Sequence, residues 1–200
     1  MMIAELFLLS TLIIAAYLIG SIPFGLIFTK LSGLGDIRGI GSGNIGATNV
    51  LRTGNRKLAG LTLFFDAGKG AFAVAVAYNY DDPQIAAVVG LLVVIGHCFP
   101  IWLNFNGGKG VATSLAVFAT LDLRLGGLFA LVWLLTALLS RYSSLAALNA
   151  VLWVTLSSFF LLGDFVTQIS ILLLCLLVWT RHHANIDRLL KGTETKIGAK

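Results

Sequence analysis

Long apolar runs dominate this chain, and short polar segments separate them. A helix needs about 20 apolar residues to cross the hydrocarbon core of a bilayer. Five runs approach or exceed that length: Ile3–Phe28, Leu58–Tyr80, Ile85–Phe105, Leu145–Leu162 and Phe165–Thr180. None of them alternates apolar and polar residues as the strands of a membrane barrel do. The pattern therefore predicts an all-α integral membrane protein.

A further apolar stretch, Val111–Leu139, is interrupted by Asp122, Arg124 and the pair Gly126-Gly127. It forms either one overlong helix with charges in its middle or two short helices of about a dozen residues each. The proline of the first run, Pro23, predicts a kink there together with Ser21.

Basic residues decide between these two arrangements, because lysines and arginines collect on the cytoplasmic side of membrane proteins. A single helix divides them six against six between the two sides. Two helices give seven spans and place twelve basic residues on one side, with Arg124 alone on the other and Lys69 inside a helix. The twelve are Lys30, Arg38, Arg52, Arg56, Lys57, Lys109, Arg141, Arg181, Arg188, Lys191, Lys196 and Lys200. The side poor in basic residues then collects Asp81, Asp82, Asp122 and Asp164. We expect seven transmembrane helices, two of them short, with the N-terminus outside and the C-terminus cytoplasmic.

The composition also indicates a membrane protein, and it gives no reason to expect a second domain. Hydrophobic residues make up 58% of the chain, charged residues 12%, and the mean hydropathy is +0.92. These values exclude a soluble globular domain, a disordered chain and a disulfide scaffold. Residues 1–200 are expected to form one membrane-embedded domain. The net charge of +5 favours anionic lipid over nucleic acid as a partner.

Three polar segments lie on the basic side, and the first runs from Gly35 to Arg52. Its candidate residues are Gly41, Ser42, Gly43, Asn44, Thr48, Asn49 and Arg52. Glycine-rich turns let backbone N–H groups converge on an anion, and arginine suits phosphate geometry. A flexible linker is the alternative, but a linker has no need of the two arginines and two asparagines.

The second segment, Asn106–Thr113, contains Gly107, Gly108, Lys109 and Gly110 before a predicted helix. The N-terminal dipole of that helix favours a phosphate or carboxylate. The spacing differs from the P-loop of nucleotide hydrolases and no strand precedes it, which excludes nucleotide hydrolysis. A plain helix start is the alternative interpretation.

The third segment contains Arg181, His182, Asn185 and Arg188, followed by Glu194. A basic helix end that binds lipid headgroups would explain the arginines but not the asparagine. Inside the spans, Asp66 and Lys69 are three residues apart and can face each other, either in a functional site or as a packing ion pair. His97 is likewise either functional or a core histidine.

These segments resemble the three motifs of the bacterial acyl-phosphate:glycerol-3-phosphate acyltransferases. The matching stretches are Gly41–Asn49 with Arg52, Gly107–Thr113 preceded by Gly96-His97 and Phe99-Pro100, and Arg181–Arg188 with Glu194. The likeness extends from Gly20 to Glu194. It implies catalytic roles for Ser42, Arg52, Lys109, His182 and Asn185. Substrate-binding roles are expected for Gly41, Gly43, Asn44, Thr48, Asn49, Lys69, His97, Gly107, Gly108, Gly110, Thr113, Arg181 and Arg188, and structural roles for Asp66 and Glu194.

The resemblance implies transfer of a fatty acyl group from acyl phosphate to the 1-hydroxyl of sn-glycerol 3-phosphate, which yields lysophosphatidic acid and phosphate. We expect direct attack by the hydroxyl without an acyl-enzyme, with either His182 or a substrate phosphate oxygen as the base. No cofactor or metal is expected, and the enzyme is expected to act as a monomer among membrane lipids, at the cytoplasmic face of the bacterial inner membrane.

Two other classes of function compete with this one. An organophosphate transporter would need polar residues along a path to the other face, and the outer half of the predicted bundle is apolar except for aspartates at its rim. A phosphatidyl-alcohol transferase would need a carboxylate-rich metal site, which the spacing of the acidic residues does not offer.

Overall fold

The computed structural model describes residues 2–80 and 82–198, and every regular element in these two stretches is helical. Ten α-helices are present there: α1 Met2–Gly20, α2 Phe24–Leu31, α3 Ala47–Leu51, α4 Arg56–Ala77, α5 Pro83–Cys98, α6 Val111–Leu121, α7 Leu123–Ser140, α8 Ser143–Leu161, α9 Phe165–Arg181 and α10 His183–Leu190. Three short 3-10 helices lie at Ile37–Gly39, Tyr78–Tyr80 and Ile101–Leu103. Asp81 and Lys200, which entered the charge count, lie outside the described residues.

Four segments are long and apolar enough to cross a membrane: α7, α8, and α4 and α5 each taken together with the 3-10 helix near its end, as Arg56–Tyr80 and Pro83–Leu103. The pairs α1–α2 and α9–α10 also qualify when each is taken as one span, with bends of 43° and 59°. The helix α6 is apolar but only 11 residues long. The all-helical membrane architecture is therefore confirmed, with four to six spans by length and composition, while seven spans and their orientation stay a prediction.

Two of the predicted spans are interrupted in the structure. The run Ile3–Phe28 breaks after Gly20, in agreement with the predicted kink, because Pro23 has no N–H for the helical ladder. The run Ile85–Phe105 was expected to be one helix, but α5 ends at Cys98. A proline, Pro100, follows at once and begins a turn that ends with Asn104 and Phe105 at positive φ.

The stretch after residue 110 forms two helices, as the basic residues predicted. The turn lies at Asp122, whose carboxylate accepts a hydrogen bond from the backbone N–H of Arg124 and caps α7. The expected length of about a dozen residues is right for α6 and wrong for α7, which has 18. The glycine pair does not interrupt α7: a Cβ on Gly126 would lie 2.4 Å from Ala119, so this glycine lets α6 approach.

The bundle is organised around α5, which packs against α1, α4, α6 and α9. Its residues Val89, Val93 and Val94 are fully buried. Glycines allow the closest crossing: a Cβ on Gly20 would lie 2.1 Å from the carbonyl oxygen of Val93, and one on Gly96 2.2 Å from that of Tyr17. Small residues at helix crossings replace the hydrophobic driving force that a lipid environment does not supply.

Large apolar side chains cover the outside of the bundle. Phe7, Phe64, Leu139 and Phe160 are between 69% and 91% exposed. An exposed apolar surface of this extent fits lipid rather than water as its surroundings. Both cysteines, Cys98 and Cys175, are free thiols in the buried interior.

Two glycines on α4 provide a matched test of this packing. A Cβ at position 70 would lie 2.7 Å from the carbonyl oxygen of Thr113 on α6, whereas one at position 68 meets nothing within 4 Å. We expect Gly70→Ala to lower the thermal unfolding temperature in detergent, because overpacking costs about 1–3 kcal/mol. Gly68→Ala is expected to raise it, because alanine is favoured over glycine inside a helix by about 1 kcal/mol. Shifts of the same sign in both variants would contradict the crossing.

Candidate functional site

The first polar segment is folded around the side chain of Asn49, which is buried. Its Oδ1 accepts hydrogen bonds from the backbone N–H of Ser42 at 3.1 Å and from the Ser42 hydroxyl at 3.3 Å. Its Nδ2 donates to the carbonyl oxygens of Ile37 and Asn44, at 2.9 and 2.7 Å. Both ends of the amide are therefore engaged within the loop. These contacts make Asn49 a clamp of the loop, and its expected substrate-binding role stays a prediction.

Around this clamp the loop presents its other polar groups on the surface. Gly41 and Gly43 have φ values of 57° and 69°, in the left-handed region that glycine favours. A Cβ on Gly41 would lie 2.6 Å from Nη1 of Arg52, so this glycine makes room for the guanidinium. Ser42 is exposed beside it. Of the remaining candidates, the side chain of Asn44 accepts from the backbone N–H of Gly46, and Thr48 is exposed.

The second segment is a glycine loop that lies against the end of α5. The N–H of Gly107 donates to the carbonyl oxygen of Cys98 at 3.1 Å, and that of Gly108 to His97 at 3.0 Å. A Cβ on Gly108 would lie 1.9 Å from Nε2 of His97, so only glycine lets the loop rest on this imidazole ring. Gly110 has a φ of 82° and is the cap residue that starts α6.

A buried ionic cluster, formed by Asp66, Lys69 and His97, packs against the glycine loop through the His97 ring. Lys69 Nζ lies 3.1 Å from Asp66 Oδ1, and His97 Nδ1 lies 3.6 Å from the same oxygen. Lys69 also donates to the carbonyl oxygen of Ile22 at 2.9 Å, and the Thr113 hydroxyl donates to that of Asp66. All four side chains are at most 5% exposed. Of the two interpretations left open, these contacts favour packing over substrate contact.

The third segment reaches back to the glycine loop through Arg181 at the end of α9. Its Nε and Nη2 donate to the carbonyl oxygens of Gly108 and Gly107, at 3.1 and 3.0 Å. Its guanidinium also lies over the ring of Phe99, 5.1 Å from the centroid. Arg181 therefore fixes the loop backbone, which joins the second and third segments into one unit.

A second link between these segments passes through Asn185 on α10. Lys109 Nζ donates to Asn185 Oδ1, and Asn185 Nδ2 donates to Glu194 Oε1 at 2.6 Å. The other carboxylate oxygen, Oε2, accepts from Nε of Arg188 at 2.6 Å. Ser144, on α8, adds a hydrogen bond to Oε1 at 2.8 Å. The sequence analysis did not select Ser144, because a serine near the start of a helix is most often a cap and its spacing from residue 194 carries no signal.

His182 lies at the junction of α9 and α10 and is buried, with Nδ1 2.8 Å from the carbonyl oxygen of Val178. Because a carbonyl oxygen only accepts hydrogen bonds, Nδ1 carries the proton and the Nε2 lone pair is left as an acceptor. The neighbouring carboxylate of Asp187 pairs instead with Lys191, at 2.9 Å. In the neutral ring, this contact assigns the proton to Nδ1 and leaves Nε2 as the nitrogen that can act as a base.

Positive charge is concentrated around Lys109. Burial, followed by the charge of Arg188, lowers the pKa of Lys109 to about 8, and Arg52 and Arg181 act in the same direction. Glu194 is the opposing charge. Although burial alone raises the pKa of Glu194, hydrogen bonds from its neighbours hold that pKa below its usual range. Hydrogen bonds join the second and third segments into one strongly cationic region, and Arg52 of the first segment adds its charge; among the described residues, Glu194 is the carboxylate that acts on Lys109.

The family model of glycerol-3-phosphate acyltransferases matches residues 10–192. The chain belongs to this family. The glycerol-3-phosphate acyltransferase of Mesorhizobium japonicum is 53% identical over 190 residues, which cover 94% of this chain and 95% of that protein. The enzyme of the same name from Brucella anthropi is 54% identical over 188 residues, which cover 94% of this chain and 92% of that protein.

Solved structures agree with the sequence comparison. A crystal structure of PlsY, an integral membrane glycerol 3-phosphate acyltransferase, in its glycerol 3-phosphate form, is similar with a TM-score of 0.91 at 38% identity, over 95% of this chain and 96% of that one. The crystal structure of the lysophosphatidic acid form is similar with a TM-score of 0.89 at 37% identity, over 95% of each chain. The predicted family is confirmed: this is an integral membrane acyltransferase family of phospholipid synthesis.

The contact between the glycine loop and His97 yields a test. Gly108→Ala would place a methyl group on the imidazole and displace the loop that carries Lys109. A displacement of about 1 Å can cost roughly a hundredfold in rate. We expect a loss of that order in acyltransferase activity, with the protein still folded by size-exclusion chromatography. Gly163→Ala is the control, because its Cβ meets nothing within 4 Å. Equal activity in the two variants would contradict the importance of this contact.

Proposed function

We propose that this protein transfers a fatty acyl group from acyl phosphate to the 1-hydroxyl of sn-glycerol 3-phosphate, giving lysophosphatidic acid and phosphate. Family membership supports the acyl acceptor, and the chemistry of the site supports the choice of donor. The observation that carries the proposal is the hydrogen-bonded junction of the second and third segments at Lys109 and Arg181, to which Arg52 and Arg188 add positive charge.

Such a density of positive charge suits a reaction between two phosphorylated molecules. Acyl phosphate and glycerol 3-phosphate repel each other, and three arginines with one lysine offset that repulsion. Acyl phosphate is a mixed anhydride and already activated, so the enzyme needs to supply position and charge stabilisation. Positioning can lower a barrier by about 7–11 kcal/mol, and one oxyanion donor by roughly 3–4 kcal/mol.

The acceptor hydroxyl attacks the acyl carbonyl directly in this proposal, and no acyl-enzyme forms. The Ser42 hydroxyl donates to the side-chain oxygen of Asn49, an amide that cannot accept its proton as a base would. The loop position favours a role for Ser42 in hydrogen bonding to phosphate or to the developing oxyanion. The base is either Nε2 of His182 or a phosphate oxygen of the substrates.

The proposal includes the arrangement in the membrane. Seven spans, with the short α6 as one of them, place the N-terminus outside and all three polar segments at the cytoplasmic face of the bacterial inner membrane. The distribution of basic residues supports this orientation. Residues 1–200 act as a single membrane-embedded domain and as a monomer, and require no cofactor or metal.

The decisive experiment compares acyl donors. Purified protein in lipid is incubated with radiolabelled glycerol 3-phosphate and either palmitoyl phosphate or palmitoyl-CoA, without added metal. We expect labelled lysophosphatidate from the acyl phosphate alone. Product from acyl-CoA alone would replace the proposed donor, and no product from either donor would refute the proposed function. Early quenching of the reaction with labelled palmitoyl phosphate should leave no label on the protein, and a labelled Ser42 would overturn direct attack.

The pKa of Lys109 predicts how activity depends on pH. A lysine with its pKa lowered to about 8 is cationic below that pH and loses its charge above it. We expect kcat/KM for glycerol 3-phosphate, which reports the free enzyme, to fall as pH rises through about 8. The phosphate of this substrate has its second pKa near 6, so its own titration lies below this range.

A Lys109→Arg variant serves as the control for this profile. Arginine stays protonated in this pH range, so whatever activity the variant keeps should show no decline near pH 8. A wild-type profile that is flat up to pH 9.5 would contradict the assignment of a functional charge to Lys109.

A further inference from the structure

The carboxylate of Glu194 receives hydrogen bonds from three side chains on two helices, α8 and α10. On Oε1 it accepts from Asn185 Nδ2 at 2.6 Å and from the Ser144 hydroxyl at 2.8 Å. On Oε2 it accepts from Nε of Arg188 at 2.6 Å. The Glu194 side chain is 7% exposed, whereas that of Arg188 is 36% exposed. Since α10 contributes two of these donors, Ser144 is the contact that ties the carboxylate to α8.

The segment that carries Glu194 lies along the turn between α7 and α8. We call residues Gly192–Gly198 the strap. At its far end, the N–H of Ile197 donates to the carbonyl oxygen of Arg141 at 2.6 Å, and Nη2 of Arg141 donates back to Ile197 at 3.0 Å. Arg141 has a φ of 64°, the left-handed conformation that ends α7. The turn therefore holds the strap at Ile197, and Ser144 holds it at Glu194.

These contacts determine which way the amide of Asn185 points. An ionised carboxylate only accepts hydrogen bonds, so Asn185 must turn its NH2 group toward Glu194. The amide oxygen then faces Lys109, whose ammonium group only donates. A rotated amide would place NH2 against the ammonium and oxygen against the carboxylate. The position of Glu194 thereby decides whether Asn185 can hold Lys109.

We propose that Ser144 is a positioning residue of this site: by anchoring the Glu194 carboxylate to the start of α8, it orients Asn185 to hold Lys109 in place. The inference rests on the acyltransferase function proposed above. Ser144 touches neither the substrates nor the reacting atoms in this scheme, and acts through two intermediate side chains.

Because several charges act on Lys109, the positioning role of Ser144 should be visible in the pH dependence of kcat/KM. Arg52 near α3, Arg181 at the end of α9 and Arg188 on α10 all oppose its protonated form. Glu194, on the strap, is the carboxylate that favours it, and the neighbouring His182 ring lies at the start of α10. When Glu194 loses its anchor, this favourable charge weakens. The lysine then loses its proton at a lower pH.

The test compares Ser144→Ala with Ser143→Ala, the adjacent serine, whose hydroxyl does not donate to Glu194 in the described part of the chain. A hydrogen bond to a charged group is lost in the first variant, so we expect kcat/KM to fall about tenfold to a hundredfold. We expect the basic limb of its pH profile to shift to lower pH. Ser143→Ala should retain wild-type kinetics, and Ser144→Thr, which keeps the hydroxyl, should recover most of the activity.

A second comparison separates positioning from a general loss of structure. Combining Ser144→Ala with Glu194→Gln should cost little more than Glu194→Gln alone, because the two residues act in series. Additive losses, or a Ser144→Ala variant with an unshifted pH profile, would overturn the inference. Inactive wild-type protein with either acyl donor would refute the proposed function, whereas active wild type with indifferent Ser144 variants would refute the positioning role alone.

Discussion

The mutual repulsion of four cations is the constraint on which the site depends. Arg52, Arg181 and Arg188 surround Lys109, and each of these three arginines disfavours the protonated form of the buried lysine. Only part of that repulsion is offset inside the protein, by the carboxylate of Glu194. The remaining positive charge is available to anions, which is why this region suits the two phosphorylated substrates proposed above. This excess of positive charge is a property of the site, and anywhere else in the bundle it would only destabilise the fold.

The glycine loop that carries Lys109 is held in place by side chains from the membrane-embedded helices. Asp66, Lys69 and His97 form a buried ionic cluster, and Gly108 rests directly on the imidazole. Lipid offers no hydrophobic force between helices, so glycine crossings bring α1, α4 and α6 close to α5, and α4 close to α6. The side chains on which the glycine loop rests are therefore part of the helix packing. A change in the packing of α4 or α5 should for this reason also displace the glycine loop.

The sequence predicted the membrane architecture, the break at Asp122 and the three segments that meet, because apolar length and basic-residue bias are strong physical signals. It did not predict the end of α5 at Cys98, since the residues that follow are as apolar as a span. An asparagine suits a phosphate ligand and a loop clamp equally well, so the sequence alone could not indicate the contacts that Asn49 makes within its loop. The link from Ser144 to Glu194 joins residues 50 apart, a distance at which spacing carries no information.

The distribution of the site along the chain has a consequence for biogenesis. Its cations come from positions 52 to 188, and the carboxylate that offsets part of their repulsion follows at Glu194, beyond α9 and α10. A chain that enters the bilayer helix by helix therefore carries Arg52 and Lys109 on separate loops before α9 and α10 are made. The repulsion among the cations is relieved only when the segment that carries Glu194 has joined the bundle, so the charged region is assembled only after α10.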